Sequence, residues 1–73
     1  MSGMGLQQRI RDRVDEVLIN TQQWLDKNEL SDEILERYHE YYSPQQIYDS
    51  IKNDDRYFID STNRKHTYFL PVQ

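Results

Sequence analysis

Apolar residues fall at Leu6, Ile10, Val14, Val17 and Leu18, then at Leu25. Steps of three and four of this kind trace one face of a helix. Gln, Arg, Asp and Glu fill the positions between them. The spacing predicts an amphipathic helix over 6–26, preceded by a flexible lead-in at 1–5, with Trp24 and Leu25 folding back onto the core near its end. Asp26-Lys27-Asn28 then punctuates the chain. Ser31 before Asp32 and Glu33 reads as an N-cap followed by acids that suit the positive end of a helix dipole. Ile34, Leu35, Tyr38 and Tyr41 or Tyr42 supply an apolar face, which predicts a second helix over 32–42.

Ser43-Pro44-Gln45-Gln46 is the clearest local signal. A Ser cap, a Pro that pre-sets φ at the first helical position and a Gln three residues after the cap form a capping box. Pro44 also closes the preceding helix, because the residue before a proline avoids helical geometry. Ile47 and Ile51 give the buried edge of a third helix over 44–53, which stops at Asn53-Asp54-Asp55. The period then changes. Tyr57-Phe58-Ile59 and Thr67-Tyr68-Phe69-Leu70 are runs of strong strand formers around a polar, turn-prone loop, which predicts a hairpin over 57–60 and 66–70. The expected fold is mainly α with a small β-hairpin: three helices plus a C-terminal two-stranded wing, in one domain over 6–73. The expected core is Ile10, Val14, Val17, Leu18, Ile34, Leu35, Ile47, Ile51, Phe58 and Leu70.

Composition sharpens this picture. Seventy-three residues support only a thin core, and with no Cys neither a disulfide nor a thiolate metal site reinforces it. Nine aromatics, six of them Tyr, argue against disorder and suit half-buried positions and interfaces. No apolar run is long enough to span a membrane. The N-terminus lacks both the apolar segment of a signal peptide and a glycine at position 2, so the expected location is intracellular. The net charge of −4 is uneven: residues 14–42 carry eight acids against Lys27 and Arg37, while Arg9, Arg11 and Arg13 precede them and the remainder balances. An acidic body is a poor non-specific polyanion binder, but it leaves local basic points for phosphate.

The segment SPQQIYDSIKNDDRYFIDSTNRKHTYFL, residues 43–70, resembles the third helix and wing of the HARE-HTH and related winged-helix families. There a capped helix leads through an Asp-containing turn and an Arg-aromatic pair into the wing, as Asp54-Asp55-Arg56-Tyr57-Phe58 and Thr67-Tyr68-Phe69-Leu70 do here. The long first helix departs from that pattern. The resemblance implies that the third helix reads nucleic acid and that the hairpin acts as a wing, in a small DNA-binding transcription regulator. Winged helices also serve as protein-binding modules, so fold alone does not choose between these roles.

Two sets of candidate residues follow. For DNA, Gln45 and Gln46 carry amides able to pair with adenine edges, Asn53 adds a third, and Lys52, Arg64 and Lys65 carry the charge for phosphate. Asp49 on the same helix opposes them. For a protein partner, including a second copy docked along helix one, the candidates are Leu6, Ile10, Arg9, Arg13 and Trp24. The acids of helix two also suit a basic partner surface, in an adaptor or inhibitor acting on the transcription or replication machinery. Catalysis finds no support: there are two His and no HExxH spacing, no EF-hand pattern and no Gly-rich phosphate loop. No cofactor, metal or small-molecule substrate is expected.

Overall fold

The computed structural model describes residues 2–62 and 65–72, with side chains from Gly5 onward within that range. Helix α1 runs Ser2–Thr21, strand β1 Leu25–Asp26, helix α2 Lys27–Tyr38, helix α3 Pro44–Ile51, and strands β2 and β3 Phe58–Asp60 and Thr67–Phe69. The three strands form one antiparallel sheet in the order β1-β3-β2. Leu25 pairs with Tyr68 on one side of β3 and Ile59 pairs with Tyr68 on the other. The fold is therefore three helices with a small β wing, to which a short strand between α1 and α2 adds a third member.

That strand changes the helix boundaries. Helix α1 begins at Ser2 instead of Leu6 and closes at Thr21 because Gln22 takes a left-handed backbone (φ 50°). The Gln22 N–H donates to the Leu18 carbonyl at 3.0 Å, and its side-chain amide reaches the Leu70 carbonyl at 3.0 Å. Helix α2 starts five residues before the expected position. Asp26 caps it: its carboxylate accepts the Glu29 N–H at 2.7 Å, and the Glu29 carboxylate accepts the Asp26 N–H at 2.9 Å. Ser31, expected as the cap, lies inside α2, where its buried hydroxyl donates to the Tyr42 carbonyl at 2.6 Å. His39 ends α2 in a left-handed conformation (φ 58°), and its N–H donates to the Leu35 carbonyl. Helix α3 carries the expected Ser43 capping box and ends two residues sooner, at Ile51.

The core is built from Ile10, Val14, Val17 and Leu18 of α1, Leu30 and Ile34 of α2, Ile47 and Ile51 of α3, and Leu25, Tyr42, Tyr57, Tyr68 and Leu70. Two expected members are exposed, Leu35 and Phe58. With α2 beginning at Lys27, the inward face passes through Leu30 and Ile34, and Leu35 sits about 100° beyond it. Tyr57, just before β2, turns inward, so Phe58 faces out, because successive residues of an extended chain alternate faces. Two polar clamps hold the hairpin and the interhelical loop to α1. Arg56 pairs with Asp15 at 3.1 Å and with Asp54 at 2.9 Å, and the buried Tyr57 hydroxyl also donates to Asp15. Arg13 makes a forked pair with Glu40 at 3.0 and 3.1 Å, and its guanidinium lies 4.5 Å from the centre of the Tyr38 ring. Among the described residues, every buried side-chain polar atom has a hydrogen-bond partner.

Candidate functional site

Helix α3 presents Gln45, Tyr48, Asp49 and Lys52 along one side, at the i, i+3, i+4 and i+7 spacing of a single helical stripe. Gln45 is exposed and donates to Asp49 at 3.0 Å, and Lys52 approaches the same carboxylate at 3.5 Å. The opposing charge of Asp49 is thus met from both ends of the stripe. Gln46 is partly committed: its carbonyl oxygen accepts the Ser43 N–H at 2.9 Å in the capping box. Asn53 follows α3 and is exposed, lining an open depression of about 750 Å³ with Arg11, Asp49, Asp54 and Asp55. Three carboxylates make that depression a poor place for phosphate.

The wing side differs. Between the start of α2, α3 and β3 lies a more enclosed pocket of about 250 Å³, lined by Asp26, Lys27, Asn28, Tyr48, Lys65, His66 and Tyr68. The Lys27 and Lys52 ammoniums lie 5.6 and 5.8 Å from the centre of the Tyr48 ring, within reach of a cation–π attraction. Lys65 is 3.2 Å from Asp26, whose side chain is only 6% exposed against 64% for Lys65. Burial alone pushes the Asp26 carboxyl up. Hydrogen bonds from the Glu29 N–H, Lys65 and the Asn28 N–H more than offset this and hold it below its ordinary value. It therefore stays charged, and it pins the wing lysine at the pocket rim. A second, smaller hollow, to which Lys52 and Ile59 contribute, adjoins this pocket through their shared walls, Tyr48, His66 and Tyr68. Together they form a groove between helix and wing with three lysines along it.

The structure brings Lys52 and Lys65 to one groove, keeps Gln45 exposed on α3 one turn before Tyr48, and places Asn53 on the separate open depression. Arg64 lies outside the described residues. Lys27, Tyr48 and Tyr68 belong to the groove although sequence reasoning missed them. The available signal was Asp26-Lys27-Asn28-Glu29, a capping box that places a lysine at the first position of a helix.

Of the candidate partner residues, Leu6, Arg9, Ile10 and Arg13 follow one stripe of α1 but differ in exposure, and Trp24 lies beyond the helix. Ile10 is 1% exposed and belongs to the protein's own core, as do Val14 and Val17. Among the described side chains of helix one, Leu6 and Ile19 are the large exposed apolar residues, so the expected seam along it has little apolar surface outside the core. Arg13 is engaged with Glu40 and Tyr38, and Arg9 lies near Glu40 and Tyr42. Trp24 is half exposed and stacks on Phe69 at 5.3 Å, and Phe69 in turn packs against Phe58 at 6.4 Å. These three rings form a row across the outer face of the sheet.

Among the described residues, no group of three or more metal-ligating side chains gathers, and no helix is long and apolar enough to cross a membrane. Comparison with protein-family models, with curated proteins and with solved structures finds no match to this chain.

Proposed function

We propose that the chain is a winged-helix, double-stranded DNA-binding module that acts as a non-enzymatic transcription regulator inside the cell. In this reading α3 enters the major groove and the β2–β3 hairpin lies against the adjoining backbone. The observation that carries it is the groove centred on Tyr48, where Lys27, Lys52 and Lys65 gather between helix and wing in a chain of net charge −4. Lysines of this kind supply phosphate contacts and their salt dependence, while the exposed Gln45 of α3 has an amide able to pair with an adenine edge. Fluorescence anisotropy with mixed-sequence duplexes at low salt tests the reading. Binding should weaken as salt rises, and Lys52→Ala should flatten the log–log salt slope by about 0.9 for its lost phosphate contact. Gln45→Ala should instead relax sequence preference. Absence of binding to any duplex at low salt ends the reading.

A second reading, an acidic protein-interaction module that serves as adaptor or inhibitor of the transcription or replication machinery, is favoured by the Trp24–Phe69–Phe58 row. Exposed aromatics are enriched at protein interfaces. A homodimer through helix one, as expected from the sequence, fits either reading, and the aromatic row offers a second contact for it. A pull-down with nuclease present separates the two readings. One stoichiometric protein lost on Trp24→Ala supports the second, and loss of all partners on nuclease treatment supports the first.

A further inference from the structure

We infer that the pocket between the start of α2, α3 and β3 is a subsite for a single phosphate group carried on a nucleoside. The inference deepens the DNA-binding reading and rests on it only for the source of the phosphate. At about 250 Å³ the pocket is smaller than a site for a drug-sized ligand and suits one nucleotide fragment. Its rim and walls bring Lys27, Lys65 and His66 together with the Tyr48 and Tyr68 rings.

Two features make the pocket selective for an anion. Lys65 is held at the rim by Asp26, which is itself fixed as the cap of α2, so this ammonium is positioned before any ligand arrives. Lys27 occupies the first position of α2, where the partial positive charge of the helix disfavours a cation. Among the described residues it pairs with no carboxylate and rests only against the Tyr48 ring. A phosphate beside it removes that electrostatic penalty. The one carboxylate in the lining, Asp26, is already engaged by the Glu29 N–H and by Lys65, so it repels an anion less than a bare carboxylate does. The larger depression beyond α3 sets Asp49, Asp54 and Asp55 against Arg11 and Lys52, a net negative lining that disfavours phosphate.

The test is a 1H–15N NMR titration of the full chain with thymidine 5′-monophosphate, inorganic phosphate and thymidine, run beside anisotropy with a duplex. Both phosphate-bearing probes should shift the amides of Lys27, Asn28 and Lys65 to Tyr68, and thymidine alone should not. Lys27→Gln should weaken the nucleotide about tenfold while amide dispersion is kept and the urea midpoint does not fall. Absence of shifts from either phosphate probe, shifts confined to other residues, or unchanged affinity in Lys27→Gln overturns the inference. Duplex binding without nucleotide binding ends the subsite and keeps the DNA reading. Nucleotide binding without duplex binding keeps the subsite, as a free-nucleotide site, and ends the DNA reading. Displacement of the nucleotide from these amides by duplex assigns the phosphate to a nucleic-acid backbone.

Discussion

Glu40 has the most displaced carboxyl in the chain with a readable titration. The Arg13 guanidinium and the Tyr42 hydroxyl donate to it and hold it at about 2, against an ordinary value of 4.5. The folded pKa is depressed, so the associated stability is present above about pH 4.5 and drains away as pH falls towards 2. Urea midpoints measured across that window should decline, and Glu40→Gln should flatten the part of the decline owed to this group. An identical slope in the variant would remove Glu40 from the account. Tyr57 offers a second test. Burial, reinforced by Asp15, pushes its phenol far above the ordinary range, so it stays a neutral donor at every accessible pH. Tyr57→Phe keeps the buried ring and loses one hydrogen bond to a charged acceptor, which should cost about 1–3 kcal/mol in urea unfolding. The sequence shows Tyr57, Phe58 and Ile59 as equivalent strand formers and does not reveal which of them turns inward. The pairing of Phe58 with Phe69 and of Ile59 with Tyr68 decides that.

At the scale of elements, two capping boxes carry the same chemistry, and only one was legible. Ser43-Pro44-Gln45-Gln46 stood out because Pro44 both ends one helix and starts another. Asp26-Lys27-Asn28-Glu29 has the same reciprocal pattern, but it follows a helix-like run and reads as the end of helix one. The missing cue was β1: two residues show no alternation, and they become a strand only because β3 lies beside them. Missing that strand shifted the start of α2 and so misplaced Leu35. Asp26 serves strand, cap and wing together, and substitutions separate these roles. Asp26→Asn keeps a good cap and loses only the charge opposite Lys65, so it should cost less than about 1 kcal/mol, as befits a pair with one partner largely in water. Asp26→Ala also loses the cap and should cost about 1 kcal/mol more in chemical denaturation. Equal costs for the two variants would assign the whole effect to the ion pair.

At the scale of the molecule, the three-helix-plus-wing plan was readable because α1 and α3 bury the faces their periodicity marks, Ile10 to Leu18 and Ile47 with Ile51. The groove was readable only in part, since Lys27 and Lys65 are 38 positions apart and meet through Asp26 and the sheet. The sheet has a further consequence. Strand β2 lies at its edge, and Phe58 and Ile59, on opposite faces, are 54% and 50% exposed. An edge with apolar side chains on both faces and no lysine in the strand is a template for pairing with other chains, the usual start of aggregation. Concentrated or gently heated samples should therefore lose monomer by accreting at β2, well before the core opens. Ile59→Lys should slow that loss, followed by light scattering, while moving the urea midpoint by less than about 0.5 kcal/mol in equivalent stability. Shelf life in solution would then be governed by three residues of strand edge, whatever the stability of the helices behind them.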